Sequence, residues 1–492
     1  MSQSAASAKK SDTKKITWYT LAFMAFSTVW GFGNVINGFG YFNGIQAIFS
    51  WIMIFVLYFV PYSLMVGELG SAFKNAGGGV TSWVLETTNP KLAYYAGFTY
   101  WVVHIPYIAS KGSGGLKALA WTFLQNKWYD QLDPRIVQLA TAVVFVFFLW
   151  VAAQGMTTLK ALTSLAGSSM FVMSLLFIVM MFAAPMINPQ ASFVPLEWNW
   201  KTLIPTFDLK YFTSLSILVL AVGGCEKISP YVNKVDNPGK DFPKGMIALA
   251  IMVMVCAILG TIAMGMMFSG AEITGDNQQY FIANGQYEAF QRLGEYYHIG
   301  NALVVVYGAC NTIGQFSTLV LSIDAPLRML LDDENARQFV PKPLLKQNKH
   351  GAYINGIIMI GILSGAIILI QTMGKDASSI ITWLTKLNSV CMPLRYLWVF
   401  FAYIMLRKAG NKFHSDYVFV KNKGLAILIG CWCFVVTAAC CIGGIVVFGN
   451  NGIDLAQTIM NALTPVVLLA LGMIMPAIRR RENAREAAGL KK

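Results

Sequence analysis

The chain has 492 residues, of which 56% are hydrophobic and only 12% charged. A soluble domain carries about 25% charged residues, so this composition excludes an ordinary soluble enzyme and puts most of the chain in lipid. The formal net charge of +14 invites a nucleic-acid partner; its distribution along the chain argues against one.

Apolar runs of about 20 residues, enough to cross the hydrocarbon, recur about twelve times. They lie near 16–38, 45–69, 92–122, 135–153, 158–184, 211–234, 245–268, 299–326, 352–372, 379–407, 424–448 and 455–478. With the N-terminus inside, the cytoplasmic segments hold 26 of the 37 Lys and Arg and the external loops hold 6. That asymmetry follows the positive-inside rule. It places both termini in the cytoplasm and makes the lipid bilayer, not nucleic acid, the partner of the chain. The first fifteen residues are polar and basic, with no signal-type cleavage site, so the first span is expected to stay as the first helix. All eight cysteines fall in expected spans, and Cys431-Trp432-Cys433 lacks ligand spacing. Neither a disulfide framework, a cysteine metal site nor a cofactor is expected.

Five spans precede residue 185 and five more run from 211 to 407. Five is odd, so the second set enters the membrane from the opposite face, which is an inverted repeat. The expected organisation is a cytoplasmic tail (1–15), a first five-helix repeat (16–184), an external loop (185–210), a second repeat (211–407), helices eleven and twelve (408–478) and a mobile basic tail (479–492). Residues 75–91 read as a glycine-rich turn and a short interfacial helix. Residues 269–298 and 327–351 read as polar stretches, external and cytoplasmic.

The first helix of each set is interrupted at its centre, by Trp30-Gly31-Phe32-Gly33-Asn34-Val35 and by Val222-Gly223-Gly224-Cys225-Glu226-Lys227. A broken helix in lipid leaves backbone groups unpaired at several kcal/mol each, so breaks persist only against protein or a polar cavity. Paired breaks in two repeats point to a transporter's substrate site. After Gly33 the helix begins with free N–H groups and a positive dipole end, which suit a carboxylate. Carbonyls near Val222 and Gly223 suit an ammonium group. Together they suit the backbone of an amino acid. The plainer alternative makes these glycines helix-packing positions.

Charges within or near spans need partners or a pathway. Glu68 near a cytoplasmic end reads as a helix–loop tie of an inner gate or as a proton carrier. Glu226 reads as a partner of Lys227, a gate brace or a coupling group. Arg395 follows Pro393 and suits carbonyls freed by a kink. His104 reads as a hydrogen-bonded intramembrane histidine. An intramembrane hydrolase or acyltransferase requires a nucleophile and base clustered at membrane depth. Three of the four histidines, His298, His350 and His414, lie in loops or at span ends, which disfavours that class.

The motifs in order resemble those of the amino acid–polyamine–organocation permeases. Gly31-Phe32-Gly33 stands where that family has Gly-Ser-Gly or similar. Gly224-Cys225-Glu226, followed by Asn237-Pro238-Gly239-Lys240-Asp241-Phe242-Pro243, resembles its Gly-x-Glu and Asn-Pro signature. Gly67-Glu68-Leu69 with Ala76-Gly77-Gly78, and Arg328-Met329 through Asp332-Asp333 with Lys349-His350-Gly351, complete the likeness. Within the superfamily the chain looks closest to bacterial glutamate/γ-aminobutyrate-antiporter-like permeases.

The resemblance implies an all-α integral membrane protein of LeuT-like fold, a 5+5 inverted repeat plus two helices, with helices 1 and 6 discontinuous and alternating access. It implies that Val29, Phe32 and Gly33 face the substrate carboxylate, and Val222 and Gly223 its amine. A gating aromatic of helix six falls at Leu220, and one of helix eight near Leu319 with Phe316 a turn away. The resemblance puts Lys111 close to the pocket, with Lys386, Asn388 and Ser389 in the comparable part of helix ten. Cations there favour an acidic side chain; snorkelling is the alternative for Lys111. Ala166-Gly167 is followed by Ser168-Ser169 where many sodium-independent members have a lysine. Ser317 and Thr318 are candidates to ligate sodium. The expectation is a plasma-membrane amino acid permease exchanging an amino acid for a related amino acid or amine, glutamate mildly favoured. Proton- or sodium-coupled symport of a neutral amino acid is the alternative.

Overall fold

In the structure, a computed structural model, residues 15–333, 336–370, 387–446, 448–449 and 452–488 are described. The first interrupted span is α1 (Trp18–Val29) and α2 (Gly33–Tyr41). There follow α3 (Gly44–Ala72), α4 (Val80–Thr87), α5 (Pro90–Leu124), α6 (Pro134–Ala152) and α7 (Met156–Ile187). The second set opens with α8 (Leu209–Val222) and a 3₁₀ segment, Cys225–Lys234. It continues through α9 (Pro238–Gly265), α10 (Gly275–Tyr296), α11 (Ala302–Leu331), α12 (Ile354–Ile370) and α13 (Leu387–Lys408). Then come α14 (Lys423–Gly443) and α15 (Leu455–Ala487), separated by a two-residue strand pair, Phe448–Gly449 with Gly452–Ile453.

Nine helical stretches among the described residues are long and apolar enough to cross a membrane, and α1 with α2, bent by 42°, makes a tenth. The 35-residue α5 and the 17-residue α12 meet the other two apolar runs. At 1.5 Å per residue α5 is about 52 Å long, longer than the bilayer core. Lipid-facing surface is marked by exposed apolar side chains: Val143, Val146 and Phe147 on α6, Ile362 on α12 and Leu428 on α14. This is the LeuT-like all-α membrane fold, with its first and sixth spans discontinuous as expected.

Local chemistry sets several boundaries. Asn89 caps α5 by accepting from the amides of Lys91 and Leu92, both at 3.1 Å, with Pro90 in the first turn. Asp133 caps α6 in the same way, accepting from Arg135 N at 2.8 Å. In α3 the turn widens over Phe55–Phe59, just before Pro61, whose missing N–H and bulky ring disfavour a regular turn there.

Three segments differ from the sequence expectation. The helix expected at the interface, α4, packs inward and is buried through Val80–Val84. Gly79 lets it pack there: its φ is +57°, and a Cβ would lie 2.3 Å from Ser229 Oγ. The polar stretch 269–298 contains the 22-residue α10, whose Phe281, Tyr287, Phe290 and Leu293 are buried. The basic segment after residue 478 continues as helix to Ala487, where Lys342 N donates to Glu482 at 3.0 Å and Lys342 pairs with Glu486.

Candidate functional site

At the first break Trp30 is extended (φ −126°, ψ 137°), and helix resumes at Gly33. Asn34 N bonds back to Gly31 O at 2.9 Å and Val35 N to Phe32 O at 3.0 Å. Among the described residues no acceptor reaches the amides of Gly31, Phe32 and Gly33, the orphan donors of a helix start. At the second break Gly223 is extended and Gly224 left-handed, with φ +114°.

Side chains of the first break reach the carbonyls of the second. Asn34 Nδ2 donates to Val29 O and Ala221 O, both at 3.1 Å, and Thr28 Oγ1 donates to Gly224 O at 3.1 Å. Among the described residues no donor reaches the carbonyls of Val222 and Gly223. One break thus offers donors and the other acceptors, and the two are tied together.

A cavity of about 440 Å³ opens between them. Val29, Gly31, Gly33, Lys111, Leu220, Gly223, Thr318 and Asn388 all line it, with Tyr107, Lys227, Gln286 and Arg395. It runs from the breaks toward Tyr41 on α2 and Ile282 on α10. Asn388 is only 5% exposed, and its Oδ1 has no partner among the described residues, so it is an acceptor available to a ligand donor.

Other candidate residues stand elsewhere. The Phe32 ring is buried and turned from the cavity, at 4.7 Å from Phe177 and 5.2 Å from Phe290. Val222 is fully buried and absent from the lining, so only its backbone remains relevant. Phe316 stacks on Phe148 at 4.3 Å outside the lining. Ser168 bonds to Leu165 O at 3.1 Å, away from the cavity. Thr318 Oγ1 donates to Ser27 O at 3.1 Å and Gly314 O at 2.9 Å; Ser317 Oγ is buried without a partner among the described residues. Lys386 lies outside the described residues.

Of the alternatives open for Glu226, pairing with Lys227 is not the one seen: its ion pair is with Arg395. Both are buried, Arg395 Nε lies 3.2 Å from Glu226 Oε1, and Tyr62 donates to the other oxygen. The guanidinium also meets His104 Nε2 and donates to Tyr396 OH at 3.1 Å. Arg395 is therefore spent on a carboxylate and two rings rather than on kink carbonyls. No local sequence pattern marks α13 as carrying the partner of the glutamate at the break. Lys227, the next residue, faces the cavity and donates to Ser322 Oγ at 3.1 Å.

The end of the bundle carrying Ile16 is closed. Ile16 N donates to Lys234 O at 2.9 Å and Asp236 N to Ile16 O at 3.0 Å. Asp324, buried in α11, accepts from Arg328 at 2.7 Å and from Tyr231 at 2.8 Å. Glu68 accepts from Arg407 at 2.7 Å and from the Phe419 amide at 2.8 Å. In the loop beyond, Lys74 bonds Asp416 at 2.7 Å and holds that carboxyl below its usual pKa. At the cavity end α10 is held by Asn284 to Asp130 at 2.7 Å, Gln278 to Gly40 O at 2.7 Å and Lys117 to Ala283 O at 3.5 Å, with Lys117 itself paired to Asp130 at 2.8 Å.

A sequence profile described as "Amino acid permease" matches residues 16–472. The aspartate/glutamate permease AcaP of Lactococcus lactis subsp. cremoris is 49% identical over 97% of this chain and 98% of its own. The inner membrane transporter YjeM of Salmonella typhimurium is 25% identical over 84% of this chain and 86% of its own. The glutamate/gamma-aminobutyrate antiporter of Lactococcus lactis subsp. lactis is 24% identical over 76% of this chain and 73% of its own. With that coverage, and with two broken helices meeting at a polar cavity, the chain belongs to the amino acid permease family.

Proposed function

We propose that this protein carries an acidic amino acid across the bacterial inner membrane by alternating access, exchanging it for a related amino acid or amine. The observation that carries the reading is the charge of the cavity. Lys111, Lys227 and Arg395 line it, and no carboxylate is among its described lining residues. Glu226 is ion-paired with Arg395, and one carboxylate does not balance three cationic side chains. An anionic side chain supplies the missing counter-charge in a medium of low dielectric constant. The α-carboxylate fits the open amides at Gly31–Gly33. The α-ammonium fits the carbonyls of Val222 and Gly223 and Asn388 Oδ1. The 49% identity to a protein named an aspartate/glutamate permease supports the same substrate class. The name of the glutamate/gamma-aminobutyrate antiporter supports exchange.

Both termini face the cytoplasm in this reading, and the α10 end of the cavity faces the outside. Inward opening then parts Ile16 from Lys234. Reconstitution in liposomes tests the proposal, with labelled aspartate, glutamate and neutral amino acids outside and with internal substrate, sodium and pH varied in turn. Saturable uptake of acidic amino acids, accelerated by internal amino acid or amine, is expected. No saturable uptake of any amino acid or amine rejects the permease reading, and uptake driven by sodium or a proton gradient alone replaces exchange with symport.

A further inference from the structure

Tyr107 on α5 has the amino groups of two lysines beside its ring. Lys111 Nζ, one turn on along the helix, is 4.7 Å from the ring centroid, and Lys227 Nζ is 5.3 Å from it. The two distances end to end put the ammoniums within about 10 Å of each other. All three residues line the cavity. Lys227 is 1% exposed, and its hydrogen-bond partner is the neutral hydroxyl of Ser322. Among the described residues no carboxylate forms an ion pair with Lys111 or Lys227. The carboxylate next to Lys227 in sequence, Glu226, is paired with Arg395.

Two amino groups beside one cavity are costly to protonate together, because their charges repel and burial removes the water that would screen them. The electron-rich ring face offsets part of this. The remainder is a standing demand for an anion. Resting on the acidic-substrate reading above, we infer that Lys111 and Lys227, flanking Tyr107, form the subsite for the side-chain carboxylate of the substrate and set its preference for acid over amide. The break amides at Gly31–Gly33 supply donors for the α-carboxylate, so the two carboxylates of the substrate have separate holders. Lys111 stands on the unbroken α5 and Lys227 on the segment just after the second break, so the bound anion joins a continuous element to a discontinuous one. Glutamine and asparagine have the size and polarity of the acids but bring no charge, and they leave the lysines uncompensated.

The test uses wild type, Lys111→Met, Lys227→Met and Lys227→Arg in liposomes. Uptake of labelled glutamate and aspartate is competed with unlabelled glutamate, glutamine, aspartate and asparagine. Each Met variant is expected to lower the acid-over-amide ratio of inhibition constants at least tenfold, about 1.4 kcal/mol, with amide competition little changed. Lys227→Arg keeps most of the ratio. Lys111 is half-buried, so its variant remains informative if Lys227→Met does not fold. An unchanged ratio in folded variants, or equal loss for acid and amide, overturns the subsite alone. A wild type that moves no acidic amino acid overturns the transport reading, and the subsite with it.

Discussion

The two helix breaks occupy corresponding places in the two halves, yet they are built differently. The first leaves amide donors and faces space: a Cβ on Gly31 would meet nothing nearer than Met170 Cε at 3.9 Å. The second leaves carbonyl acceptors and is pressed by protein: a Cβ on Gly223 would lie 2.0 Å from Tyr396 OH. The side-chain ties run one way, from Asn34 and Thr28 on the first break to Ala221 and Gly224 on the second. The same interruption thus serves approach by a ligand in one repeat and anchoring in the other. Substitutions at the second break or in the ties that hold it are therefore expected to act on stability first, and those at the glycines of the first break on transport.

The largest effect belongs to the pair that braces the second break. Arg395→Met leaves Glu226 buried and uncompensated, which costs about 3–5 kcal/mol. A thermal melt in detergent reads this, and Glu226→Gln in the same chain is expected to return much of it, because the two changes share one interaction. Full additivity of the two losses shows the pair to be uncoupled. Next comes Gly223→Ala, whose methyl displaces the Tyr396 ring at an overpacking cost of about 1–3 kcal/mol. It is expected to abolish uptake as well as lower the midpoint. Asn34→Ala removes both of its ties and leaves the Ala221 carbonyl unpaired, for about 1–3 kcal/mol. If that variant melts like wild type, the first break does not hold the second.

Much of this architecture is legible in the sequence, because hydropathy marks spans and glycine marks breaks with little dependence on tertiary contact. The cavity lining is legible where it is backbone, at Gly31, Gly33 and Gly223. Side-chain direction is not. Phe32 stands in the break and Phe316 on α11 at plausible positions, but the local backbone direction turns both rings into packing, against Phe177 and Phe148. Neighbours in the 3₁₀ segment likewise diverge, so Glu226 and Lys227 take different partners despite adjacency. Arg395 meets Glu226 from far along the chain, and no local pattern announces such a pair. The helix α10 is hidden by its polar surface, although its buried Phe281, Tyr287 and Phe290 serve the cavity end as firmly as any span residue.

The smallest effects lie at the first break, where they separate ligand from scaffold. On Gly33 a Cβ would sit 2.9 Å from Gln286 Oε1, the free end of a flexible side chain. Gly33→Ala is therefore expected to cost only about 1 kcal/mol, and Gln286→Ala in the same chain to relieve it. Gly31→Ala meets no obstacle and should change the melt by no more than about 0.5 kcal/mol. Its methyl nevertheless enters the cavity beside the open amides. The apparent KM for acidic amino acid uptake should then rise several-fold at an unchanged melting midpoint. A KM equal to wild type would mean that the carboxylate does not approach the backbone at Gly31. The asymmetry between the breaks would then concern packing alone, because the side that faces space would have no ligand to admit.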